Sequence, residues 1–134
     1  MSTNNNNLVS SEKQRAANAA KCIQENSNDV KYIGHAKSLG TLILSNGLAQ
    51  TIAFLKTKNE YKKLEEDLSN YVTQRLNVST NLLNYLLAVN TTALNMKLAT
   101  DEALAWAVWL KRFAQAQESK GKKEEKNETS SVER

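Results

Sequence analysis

An all-α fold, a compact bundle of about five to six helices with no sheet, follows from three observations on this 134-residue chain. It contains no proline, where average usage would give about six or seven. It has only four glycines, and folds built from strands and tight turns need more of both breakers. Its apolar residues recur at three- and four-residue intervals, as in Tyr61, Leu64, Leu68, Tyr71 and Val72, which is the spacing of one helix face.

The elements follow in order. Residues 1–9 are polar, with an Asn4–Asn7 run, and are expected to lack order. Ser11 and Gln14 have the spacing of a capping box. The first helix, near 11–25, then carries Ala16, Ala19, Ala20 and Ile23 on one face, and the polar run Asn26-Ser27-Asn28 ends it. Asp29 is placed to cap the next helix, which presents Ile33, Ala36 and Leu39. Gly40 interrupts the pattern, so a third helix is expected from about Thr41, carrying Leu44, Leu48, Thr51, Ile52 and Leu55. Asn46-Gly47 lies inside it. The dipeptide is a hairpin signal, but its flanks do not alternate, so a kink or helix junction is predicted.

A regular stripe over 61–76 predicts the next helix, with Lys62/Glu66 and Lys63/Asp67 as i,i+4 pairs on a solvated outer face. Leu82, Leu83, Leu86 and Leu87 predict a short, central apolar helix. Asn90 or Thr91 can cap the last one, in which Leu94 and Leu98 stay in phase with Trp106. One long helix over 91–117 is favoured, although Thr100-Asp101-Glu102 would also suit a separate start. The segment 118–134 is charged and serine-rich and is expected to be disordered, leaving 10–117 as a single helical domain.

The formal net charge is +4. The segment 118–134 holds five basic and five acidic residues and contributes nothing to it, so the excess belongs to the folded body. A modestly basic body suits a polyanion partner, and equally serves solubility. Cys22 is the one cysteine, which excludes an internal disulfide, and among alanines it reads as a small buried side chain. The opening residues have no apolar core of a signal peptide and no segment approaches a membrane span, so a cytoplasmic protein is expected.

Catalytic constellations are poorly represented. His35 is the one histidine, and it reads as a helix-surface or interface residue. No cluster of His, Cys and carboxylates has metal-ligand spacing, and the glycines do not fit phosphate loops. Neither an enzyme, a cofactor nor a small-molecule substrate is expected. What remains is a set of helical cations. Lys13, Arg15 and Lys21 lie on the first helix, Lys37 on the second, and Lys111 and Arg112 on the last, all candidates for phosphate contact. Lys56 and Lys58 end a helix, where offsetting the helix dipole explains them as well as a polyanion does. Trp106 and Phe113 share a stripe with alanines and read as core. Trp109 lies on the flank of that stripe and is a candidate for a protein interface.

Two stretches carry a family likeness. The first, 35–55, reads HAKSLGTLILSNGLAQTIAFL and is most specific at Ser45-Asn46-Gly47-Leu48-Ala49-Gln50, with Ala53-Phe54-Leu55 behind it. The second, 101–116, reads DEALAWAVWLKRFAQA, with Ala99-Thr100 before it and Trp109-Leu110-Lys111-Arg112-Phe113-Ala114 within it. In this order and spacing they resemble the small, all-helical subunit of the type III-B CRISPR effector complex, over about 16–116. The family often has proline where this chain has Gly40, and the charged segment after Gln117 is longer than its pattern requires.

The resemblance implies a helical bundle without a catalytic centre. It implies several copies stacked beside a filament of larger backbone subunits, holding guide RNA and target RNA in antiviral defence. Asn46, Gln50 and Trp109 are then the candidate protein-interface residues. Guide pairing supplies sequence specificity in such a complex, so the subunit need only hold phosphates and duplex shape. A helical adaptor that binds protein alone is the other reading. Cations gathered on one face would favour RNA contact; scattered cations beside an exposed apolar surface would favour the adaptor.

Overall fold

The computed structural model describes the backbone of residues 3–132 and the side chains of residues 11–122. The segment 1–9 and most of 118–134, both expected to lack order, lie outside the residues whose side chains are described. Six α-helices follow one another: α1 (Thr3–Glu25), α2 (Val30–Asn46), α3 (Leu48–Leu55), α4 (Lys62–Leu76), α5 (Leu82–Leu87) and α6 (Ala93–Val132). A single 3-10 turn, Asn59–Tyr61, leads into α4, and no strand occurs among the described residues.

Local chemistry sets most boundaries. The Asn26 side chain donates to the carbonyl of Cys22 at 2.7 Å and closes the end of α1. Asp29, in extended backbone, accepts from the Tyr32 amide at 3.1 Å and starts α2 as expected. Asn81 caps α5 in the same way, and the Thr92 hydroxyl caps α6 by accepting from the Asn95 amide at 3.1 Å. Asn77 ends α4 in the left-handed conformation at φ 57°. The favoured single long helix is found: Thr100 lies inside α6, its hydroxyl donating back to the Met96 carbonyl.

Gly40 does not break α2. A Cβ there would sit 3.7 Å from the Ala107 Cβ, so the glycine lies where α2 runs beside α6. The packing of the two helices outweighs a propensity cost of about 1 kcal/mol. The break comes at Gly47, whose φ of +83° a helix cannot continue. Its amide donates to the Ile43 carbonyl at 2.8 Å, and its carbonyl accepts from both the amide and the hydroxyl of Thr51. Asn46-Gly47 is therefore the helix junction that the non-alternating flanks predicted.

Two further expectations are corrected. Ser11 lies inside α1 and not at its start. The Ser11 hydroxyl and the Gln14 amide oxygen instead accept from Arg75, at 2.9 and 2.7 Å. The outer face of α4 is only partly solvated. Lys63 pairs with Asp67 at 3.1 Å, but Asp67 is buried and accepts from the Tyr32 hydroxyl at 2.6 Å. Glu65 is buried as well and is held by Lys56 at 2.8 Å and by Ser69. Of the α5 leucines, Leu82 and Leu86 enter the core while Leu87 stays exposed.

Helix α6 is the spine. Contacts Arg15–Glu102 and Asn18–Trp106 advance together, so α1 lies beside it in the same direction. Contacts Lys37–Glu118 and Gly40–Ala107 step in opposite senses, so α2 is antiparallel. Trp106 is fully buried and stacks on Tyr71 of α4, with centroids 5.6 Å apart and planes 15° from parallel. Ala99, Ala103, Ala107 and Ala114 let the neighbouring backbones approach, and Leu39, Ile43, Ile52, Leu64, Leu68 and Leu110 fill the interior. Burying each such leucine or isoleucine contributes about 1.5 to 3 kcal/mol. Cys22 is buried as expected, and loss of solvation pushes its thiol up to about 12, out of reach of thiolate chemistry.

Candidate nucleic-acid and protein contact surfaces

The polar centre of the bundle is Glu102. Arg15 of α1 donates through Nε and Nη2 to its two oxygens, each at 3.0 Å. The Tyr71 hydroxyl donates at 2.7 Å and Arg75 Nε at 3.3 Å, both from α4. Burial by itself would raise the Glu102 carboxyl. Hydrogen bonds from Arg15 and Tyr71, with the charges of Arg15 and Arg75, outweigh it and hold the group below the usual carboxylate range. Tyr71 is shifted upward by its burial and by the bond to Glu102.

This centre decides the fate of one candidate. The Arg15 guanidinium is committed to Glu102 and, through Nη1, to Glu12 at 3.1 Å. Glu12 also accepts from Trp109 Nε1 at 2.9 Å, so Arg15 and Trp109 are joined through one carboxylate. Trp109 is half-buried and stacks on Phe113 with centroids 5.8 Å apart. Phe113 sits at the edge of the core, half-buried, while Trp106 lies inside.

The other cations lie on α1, α2 and α6. Lys37 pairs with Glu118 at 2.6 Å on the α2–α6 side. Lys21 lies on α1, 3.9 Å from Glu25, with both ends exposed. Lys13, Lys111 and Arg112 are exposed and make no ion pair among the described residues. Of the six candidates, Arg15 and Lys37 are thus tied to carboxylates of α6, and Lys13, Lys111 and Arg112 are not. Asn46 and Gln50 are both exposed, on either side of the Gly47 junction. His35 lies on α2 with its Nε2 3.5 Å from Glu60 and its ring edge against Tyr61, a surface contact between α2 and the 3-10 turn.

Two features had no clear signal in the sequence. The first is a groove of 480 Å³ between α1 and α4, lined by Gln14, Asn18, Lys21, Tyr71, Gln74 and Arg75. Only Lys21 among these stands out in a linear reading, because the groove is made by two helices far apart in sequence. The second is an apolar surface around the α5–α6 turn. Leu87 is 67% exposed, Leu94 64% and Leu98 48%, and Val89 is fully exposed. Leu94 and Leu98 are one helical turn apart and share a face. Their phase with Trp106 suggested core, but both side chains are exposed.

Among the described residues no group of three His, Cys, Asp or Glu side chains is placed to hold a metal ion. None of the described helices is long and apolar enough to cross a membrane. Comparison with known proteins is consistent over most of the chain. Residues 11–117 match the family model of a CRISPR-associated protein, Cas_Cmr5. No curated protein matches the chain. Among solved structures, a CRISPR-associated Cmr5 family protein from Thermus thermophilus superimposes with a TM-score of 0.64 at 31% sequence identity. The match covers 80% of this chain and 96% of that one.

Proposed function

We propose a function from one established premise: the chain belongs to the CRISPR-associated Cmr5 family. The protein acts as a non-catalytic structural subunit of a type III-B CRISPR ribonucleoprotein. It docks against neighbouring subunits, including copies of itself, beside the guide RNA–target RNA duplex. The observation that carries this reading is the exposed apolar surface of Leu87, Val89, Leu94 and Leu98 at one end of the bundle. Leu94 and Leu98 share one face of α6, and large apolar side chains grouped in this way are costly to leave in water and mark a protein contact. Asn46, Gln50 and Trp109 add polar groups to the contact surfaces.

Contact with RNA falls to few cations. Lys111 and Arg112 on the outer side of α6, with Lys13 on α1, have ammonium and guanidinium groups uncommitted to any described carboxylate. Arg15 and Lys37 act in the fold through Glu102 and Glu118. Exposed apolar side chains are also what a protein-only adaptor would show, so the two readings differ in whether RNA contact is direct.

The docking role is tested by reconstituting the effector with Leu94→Asp/Leu98→Asp. Both side chains are exposed, so the isolated variant should keep its circular dichroism spectrum and melting temperature. Incorporation into the complex should fall several-fold. Wild-type incorporation would remove this surface from the interface.

A further inference from the structure

The groove between α1 and α4 has a lining unlike the rest of the surface. Arg75 stands at one side, held by Glu102, Gln14 and Ser11 through Nε, Nη1 and Nη2. A guanidinium has five N–H groups. Those bonds use three, and two remain on a side chain already fixed in place, so little rotamer freedom is lost on binding an anion. Lys21 stands at the other side.

The amides between them are oriented by their inner partners. Gln14 accepts from Arg75, and Asn18 accepts from Trp106 Nε1 at 2.9 Å. Arginine and the indole N–H can only donate, so each amide must turn its oxygen inward and its NH2 outward. The groove wall therefore offers amide donors from Gln14 and Asn18, guanidinium donors from Arg75 and the ammonium of Lys21. Gln74 is the one lining amide with no such inner bond to fix it. Among the described residues no carboxylate lines the groove. Glu25, the nearest acid to Lys21, is at the outer limit of an ion pair with both ends exposed, and such pairs are worth little.

Arg15 is balanced by Glu102 and Glu12, while Arg75 shares Glu102 and otherwise donates to neutral oxygens, so its remaining N–H groups are free for the groove. A wall of donors that includes a guanidinium and an ammonium selects an acceptor-rich anion. A volume of 480 Å³ is more than a bare phosphate needs and is within the range of ligand sites.

We propose that the α1–α4 groove binds a phosphate ester, with its oxygens on Lys21, Arg75 and the amide NH2 groups of Gln14 and Asn18. An RNA strand and a free nucleotide both carry this group. The strand as source rests on the RNA-contacting reading above; the nucleotide does not. All lining residues belong to one chain, so the isolated full chain is the proper reagent.

The test is a titration of the isotopically labelled full chain, followed by NMR, with three probes: inorganic phosphate, adenosine monophosphate and a short single-stranded RNA. The side-chain NH2 signals of Gln14 and Asn18 and the Arg75 Nε–H signal should shift together. Lys21→Ala/Gln74→Ala, at two exposed positions outside the Glu102 network, should weaken binding at least about tenfold, as for the loss of one charge-assisted hydrogen bond. Its melting temperature should be unchanged. Shifts with RNA alone assign the site to a strand, and equal response to the mononucleotide assigns it to any phosphate ester. If no probe moves these signals, or if the double variant binds every probe like the wild type, the groove is only a solvated cleft and the proposal fails. That failure leaves open the RNA contact at Lys111 and Arg112, which is measured separately in the assembled complex.

Discussion

Arg15 and Glu102, 87 residues apart, meet in a two-point fork with both N–O distances at 3.0 Å. The fork clamps α1 to α6, and Arg75 and Tyr71 bring α4 to the same carboxylate. Removing the charge at Glu102 would leave two guanidiniums facing one neutral amide. Glu102→Gln is expected to destabilise the protein by about 3 kcal/mol, the low end for breaking a buried pair. At this chain length that lowers the melting temperature by roughly 10 °C. Calorimetry checks it, and a shift of a degree or less would show the hub to be energetically idle.

The same group makes stability depend on pH. Its folded pKa lies below the unfolded carboxylate value of about 4.3. Its contribution is therefore fully present above that value and is lost as pH falls through the folded one. The stability gap between wild type and Glu102→Gln should be constant near neutrality and close progressively below about pH 4. Urea denaturation at a series of pH values measures this; a gap that widens on acidification contradicts the sign.

Two glycine substitutions should have opposite effects. Gly47 has φ +83° with open space around it, so Gly47→Ala incurs backbone strain alone, about 1 to 2 kcal/mol. Gly40 is helical, and its new Cβ would make ordinary contact with Ala107 at 3.7 Å. Gly40→Ala should then stabilise, by up to about 1 kcal/mol from helix propensity. Paired thermal melts decide between the two signs.

Lys111 and Arg112 are expected to act on RNA through charge. Each neutralised phosphate contributes about 0.7 to 0.9 to the slope of log affinity against log salt. Their double alanine variant in the reconstituted complex should lower that slope by about 1.5, for every RNA sequence. Titration at several salt concentrations reads it. A sequence-dependent loss would point to base reading, and no loss would take both residues out of the RNA site.

The charged segment after Gln117 should add little to stability. Lys37–Glu118 is a half-exposed ion pair, and such pairs contribute about 0 to 1 kcal/mol. A chain ending at Gln117 should melt within about 3 °C of the full chain. A larger drop would show that the segment docks on the bundle.

Sequence periodicity and capping chemistry alone determined the helical class, the Asp29 cap, the Asn46-Gly47 junction, the unbroken α6 and the burial of Trp106 and Cys22. These are local matters: a cap or a stripe is read within one turn or one face of a helix. Gly40 was misleading because propensity speaks for an isolated helix, and only contact with Ala107 of α6 overrules it. Ser11 and Gln14 look like a cap until Arg75 arrives from about 60 residues away.

Only the tertiary structure could tell which cations are spent and which are free. Arg15 and Lys111 look alike along the chain, yet one is locked on a carboxylate of another helix and the other faces water. Burial of Asp67 and Glu65, exposure of Leu94 and Leu98, and the donor-lined groove between α1 and α4 have the same origin. Each depends on which helix covers which face. Ion-pair and desolvation energies depend on distance and solvent access, and these exist only once the helices have packed.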